Sequence, residues 1–380
     1  AMDADVGDDP AGRNQQLAQL ESRGDADRFD RGVHPLCVGQ FHDVSGRITI
    51  NAASTGIIDT NSNNVTFATG LTGGSSALTK AGSGTLTLTG TNTYGGLTSV
   101  TGGTLRVGNA TVGTLATTTA NLSAGGTLQY NTAPATTSAL TSVTGAGNLT
   151  LTTGTLNLSG TNTTYTGATA INGGTLNFAT DSLGSSTVTF GGGTLQYATG
   201  NTSDVSSQIQ SIGTGVIAVI DTNGNDVSYA TGIAGAGTGA LTKAGAGTLT
   251  LAGANTYTGT TTVNAGTLQI GNDGASGTLG SGAVSVASGA TLRIDRTGTV
   301  DVPNDISGAG ALFISGPALT DVVNLTGDNS FTGTVSVTAT TANIATANDL
   351  NLGPSRVTGQ FTATSANASS VLRIMASTLG

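Results

Sequence analysis

The sequence predicts an all-β protein, a parallel β-helix of stacked coils that follows a short N-terminal segment of different character. Three observations carry that expectation. A long passage occurs twice, over residues 56–108 and 215–271, with Asp59 matched by Asp221 162 residues on and Tyr94 by Tyr257 163 on. Within and between the copies the tripeptide Gly-Thr-Leu recurs, beginning at Gly84, Gly103, Gly126, Gly154, Gly174, Gly193, Gly247 and Gly266, with steps of 19, 20 and 23 residues. Each occurrence opens an alternating stretch, such as Thr85-Leu86-Thr87-Leu88 or Thr248-Leu249-Thr250-Leu251. Alternation at period two marks a strand with one buried face.

A strand-turn unit of about twenty residues cannot bury its own apolar side, so copies must stack. Stacking lays each strand ~4.8 Å above its predecessor. Leu86, Leu105, Leu128, Leu156, Leu176, Leu195, Leu249, Leu268 and Leu292 are then expected to form one internal column. Clusters of Gly and Asn between strands supply turns that need positive φ. With 60 Gly, 6 Pro, no Trp and 9% charged residues, the chain lacks the material for helices or an aromatic core. Thr, Asn and Ser must therefore make its surface soluble. The regular alternation and the scarcity of Pro argue against a disordered glycine-rich tract.

Residues 1–44 are set apart by composition. They hold the single cysteine, Cys37, both histidines, His34 and His42, the single Glu, Glu21, and nine of the 21 acidic residues. Asp9-Pro10 reads as the cap and first position of a short helix. The segment is assigned as a polar leader or cap, and 45–380 as the solenoid. No signal-peptide pattern is present. His34, Cys37 and His42 lack the fourth ligand of a zinc site, so no metal is expected there. Arg23-Gly24-Asp25 is a candidate cell-attachment tripeptide, set against the plainer reading of a solvated charge cluster.

One cysteine excludes an internal disulfide framework. A net charge of −9 and a pI near 4.4 offer no basic patch for phosphates, so nucleic acid is excluded as a partner. No run of 18 apolar residues occurs, so no transmembrane helix is expected. No nucleophile elbow, phosphate-binding loop or zinc-protease motif is present, and no catalytic residue or cofactor is assigned. The densest charged group is Asp295, Arg296, Asp301 and Asp305, with Arg293 nearby. A polysaccharide lyase or hydrolase activity would have to sit there. Asp59-Thr60-Asn61 and Asp221-Thr222-Asn223 open like calcium loops, but Gly70 and Gly232 stand where a bidentate Glu belongs. They are read as turns closed by their own side chains. Lys80 and Lys243, the two lysines, are expected as solvated gatekeepers on a sticky surface. Tyr94, Tyr165, Tyr257 and Phe331 follow Asn in a turn and are expected over coil corners.

The wording of the repeats points to a family. GAGTLTLAGANTYTGTTTVNAGTLQIG (245–271) and GSGTLTLTGTNTYGGLTSVTGGTLRVG (82–108) resemble the passenger-associated transport repeat of bacterial autotransporters, also described as an autotransporter-associated β-strand repeat. Residues 153–178 carry the same pattern with one extra residue, and 322–345 a degenerate one. The resemblance implies a right-handed β-helical passenger, carried through the outer membrane by a C-terminal β-barrel translocator in type V secretion. It implies a cell-surface or extracellular location and a structural or adhesive role. Nothing after residue 345 reads as barrel strands, so the translocator is expected outside this chain. The expected partners are that translocator, and surface glycans, host or matrix proteins, or other copies of the chain. A non-catalytic adhesin is the first reading. A β-helical lyase or hydrolase and a self-associating filament or matrix component are the alternatives.

Overall fold

The computed structural model describes residues 43–316 and 321–338. It also describes the backbone of the strands Asp27–Phe29, Val33–Pro35, Thr341–Thr346, Asn351–Val357, Gln360–Ser365 and Arg373–Ala376. The chain winds as a parallel β-solenoid of about 13 turns. The Gly-Thr-Leu strands stack in register, Leu86 on Leu105 and Leu105 on Leu128, at the steps read from the sequence. Two short strands from the segment read as leader also pair in parallel with the first coils, Asp27–Phe29 on Ile48–Ile50 and Val33–Pro35 on Ile57 to Asp59.

In the middle coils three consecutive strands, Thr137–Leu140, Ser142–Thr144 and Asn148–Thr153, belong to three different sheets, so a coil has three faces. Inward positions are Leu, Ile, Val and Tyr, and the six tyrosines are all buried. Each buried leucine contributes roughly 1.5–3 kcal/mol relative to exposure. All nine repeat leucines are fully buried, but they do not share one column. Leu86, Leu105 and Leu128 lie in a seven-stranded sheet. Leu156, Leu176 and Leu195 lie in a ten-stranded sheet, and Leu249, Leu268 and Leu292 in an eight-stranded one.

The expectation of one column fails because coil length varies. Leu128 is followed in its own column by Leu149, while the next Gly-Thr-Leu leucine, Leu156, starts the following strand on another face. The duplication inherits this slip. Ala77–Ala81 sits in a six-stranded sheet, and its counterpart Ala240–Ala244 in the ten-stranded sheet. Those two sheets form different faces of one coil at Thr137–Leu140 and Ser142–Thr144. The second copy is therefore turned by one face about the solenoid axis.

Gly70 and Gly232 show why certain corners tolerate no side chain. A Cβ on either would lie 1.8 or 1.7 Å from the carbonyl oxygen of Thr91 or Ala254 in the next coil.

Candidate functional site

The duplication reaches further upstream than sequence comparison shows. Asp43-Val44-Ser45 and Asp204-Val205-Ser206 each open a 3-10 turn, Ser45–Arg47 and Ser206–Gln208. The Asp43 carboxylate accepts from Ser45 N at 2.9 Å and Ala68 N at 2.9 Å, and the Ser45 hydroxyl from Thr69 N at 2.8 Å. The second copy repeats this with Ser206 N, Ala230 N and Thr231 N at 2.8, 2.9 and 3.0 Å. Burial works to raise the Asp43 carboxyl, but the hydrogen bonds from Ser45 and Ala68 outweigh it and hold it below the usual range. Upstream of the long copies little beyond Asp-Val-Ser is shared, too little to be noticed without the coordinates.

Asp59 and Asp221 close their own turns, each accepting from the amide two residues on, Asn61 and Asn223, at 2.8 Å. Positive φ angles of 42° and 48° at Asn61 and Asn223 complete these turns. Among the described residues no group of three His, Cys, Asp or Glu is placed to hold a metal ion.

The lysines overturn their expected role. Lys80 and Lys243 are fully buried, with their ammonium groups folded back onto turn carbonyls. Lys80 Nζ donates to Ala81 O, Gly82 O and Gly102 O at 2.8, 2.8 and 3.0 Å. Lys243 Nζ donates to Ala244 O, Gly245 O and Ala265 O at 2.8, 2.7 and 3.1 Å. Burial pushes both pKa values down to about 8, opposed by Asp59 for Lys80 and by Asp221 and Asp226 for Lys243. At neutral pH both remain ammonium ions. They are interior donors, not solvated gatekeepers.

The Asn–aromatic pair is a coil stitch. The Asn92 side chain accepts from Leu71 N in the coil before at 2.9 Å and donates to Thr114 O in the coil after at 2.9 Å. Asn162 links Val143 to Ser182 and Asn255 links Ile233 to Thr278 in the same way. Two residues after Asn92 and Asn255, and three after Asn162, a buried tyrosine bonds the threonine four positions further on. The distances are 3.0 Å for Tyr94–Thr98, 3.3 Å for Tyr165–Thr169 and 2.9 Å for Tyr257–Thr261. Burial raises all three phenols, Tyr165 to about 12. In the fourth coil Phe331 and Val335 replace the pair, so both hydroxyls are missing together.

Four stretches, residues 78–107, 153–178, 241–270 and 321–339, match the passenger-associated-transport-repeat family, and each contains one Asn–aromatic pair. The chain's repeats are those of autotransporter passengers. A 164-residue part is 41% identical to the adhesin BmaC autotransporter of Brucella suis biovar 1 (strain 1330), a match covering 42% of this chain and 4% of that protein. No solved structure matches it. Passengers of this type are exported through the outer membrane to the cell surface.

The densest charged group of the chain is taken up by internal contacts. Asp295 is buried, paired with Arg293 at 2.9 Å and accepting from Ser315 Oγ at 2.8 Å. Its neighbour one coil away is thus a hydroxyl, not a second carboxylate. The Arg293 guanidinium also covers the Phe313 ring at 5.4 Å. Asp301 accepts from Asn324 Nδ2 and Asp305 from Asp328 N, both at 2.7 Å. Arg296 donates to Ala275 O and lines a groove of about 300 Å³ with Leu279, Val300, Asp301, Val302 and Pro303. Asp301 is the one carboxylate on its wall.

The outward positions are mostly neutral and polar, with an occasional charge such as Asp221 or Arg106. On the ten-stranded face Asn157, Asn177, Gln196 and Asp221 stack in register, with Asn177 donating to Gln196 at 2.9 Å and Gln196 to Asp221 at 2.8 Å. On the seven-stranded face Arg106 donates to Gln129 and Gln129 to Thr152, both at 2.9 Å. Arg23, Gly24, Asp25, Cys37, His42 and the side chain of His34 lie outside the described residues.

Proposed function

We propose that the passenger is a non-catalytic adhesive rod whose contacts are made through these neutral polar ladders. The ladders are the observation that carries the reading: they present aligned amides and hydroxyls at a strand spacing of ~4.8 Å, with few charges between them. Neutral hydrogen-bonding surfaces of this kind suit glycans and matrix proteins, the partners that the word adhesin in the relative's name also suggests. A hydrolase would need two carboxylates flanking one bond. The groove beside Arg296 offers Asp301 alone, and Asp295 is already paired.

The test is binding of the intact passenger to a panel of glycans and matrix proteins at low and high salt. Retention at high salt is expected, because the contacts do not depend on charge. Turnover of an acidic polysaccharide that disappears in Asp301→Asn would overturn the proposal in favour of an enzyme.

A further inference from the structure

Lys80 and Lys243 occupy places that otherwise belong to aliphatic side chains. Lys80 stands in register between Ile58 and Val100, and Lys243 between Ile220 and Val263, all of them buried. Each ammonium is met by three carbonyls, two from the turn that follows its own strand and one from the corresponding turn of the next coil. An ammonium has three N–H donors and no acceptor, so the cradle matches it donor for acceptor. The two corners are built alike although they stand on different faces of the solenoid. Asp59 faces the first, and Asp221 and Asp226 the second.

We propose that each corner is a cation site, a three-carbonyl cradle that holds a primary ammonium at neutral pH, which the repeat fills with its own lysine. Some β-helix repeats hold their turns with Ca²⁺. Here the cation is covalently attached, so neither a chelator nor dilution outside the cell can remove it. It joins two successive coils at the point where the chain turns from one face to the next.

Cutting the tether tests this. Lys243→Ala removes three carbons and the nitrogen, the size of n-propylammonium. At pH 7 the amides of residues 241–267 in this variant should open at least a hundredfold more often by hydrogen exchange. Refolding in n-propylammonium chloride should recover at least tenfold of that loss. n-Propanol or sodium chloride at the same concentration should recover none. Lys243→Met, which restores volume without donors, should open at least tenfold more than the unaltered protein. The proposal is overturned if the methionine variant exchanges like the unaltered protein, or if propanol works as well as the amine. Should Lys243→Ala not refold alone, the same comparison is read as refolding yield, and failure in propylammonium also overturns it.

Discussion

Replacing Tyr257 by Phe and Thr261 by Val in the same molecule should do less harm than either change alone. The two hydroxyls meet at 2.9 Å in a place where neither side chain reaches solvent. Leaving one buried polar partner unsatisfied costs about 1–3 kcal/mol, whereas removing both is close to neutral. Tyr257→Phe and Thr261→Val should therefore each destabilise the coil by about 1–3 kcal/mol, and the double variant by under ~1 kcal/mol. The chain already contains the double replacement, at Phe331 and Val335, which are buried in the same relation. A solenoid does not melt as one unit, because each coil contacts only its neighbours. The assay is thus the local opening free energy, from hydrogen exchange of peptides spanning 255–265 in the four members of the cycle. Strictly additive costs would refute the reasoning, because they would mean that the hydroxyls are held by other partners, such as the Gly280 amide beside Tyr257, and not by each other.

Other outcomes are equally specific. An amine-directed acylating reagent should spare both lysines in the folded chain, then add to both in urea, as read by mass spectrometry. Between pH 8 and 10.5 the unfolded chain holds protons that the folded lysines have released, so stability should rise with pH there by about 1.4 kcal/mol per unit per lysine. Lys243→Met should abolish that rise in the local exchange of residues 241–267 and leave it unchanged in the coils around Lys80. Leu268→Ala should cost about 2–5 kcal/mol of local stability, while the outward Thr262→Ala should stay within ~0.5 kcal/mol, both by exchange.

Strand alternation was legible from sequence because period two is imposed by the pleat itself. Every repeat leucine assigned to the interior is buried. Their division among three faces was not, since it depends on turn lengths such as that between Tyr130 and Thr137, which shift the path without disturbing the motif. The lysines were misread because charged side chains are rarely fully buried. The contrary signal was present: in Leu78-Thr79-Lys80 and Leu241-Thr242-Lys243 the lysine falls on the same side of the strand as a core leucine. Asp43 and Ser45 were missed as the true start of the duplicated unit, because their value lies in hydrogen bonds to the next coil. The turns at Asp59 and Asp221 were read correctly from side-chain chemistry alone.

On the adhesive reading, the turn of one face between the two copies governs how the chain meets a large partner. Corresponding residues, such as those around Lys80 and Lys243, point in different directions around the axis. A flat surface lying along the rod can touch the outer side of one copy and must miss the matching side of the other. Two identical sites then act together only when the partner curves around the rod or is flexible enough to follow it. Avidity vanishes when geometry forbids simultaneous engagement. A rigid lattice should therefore bind such a rod as though it were monovalent, while a long, pliant chain collects both contacts.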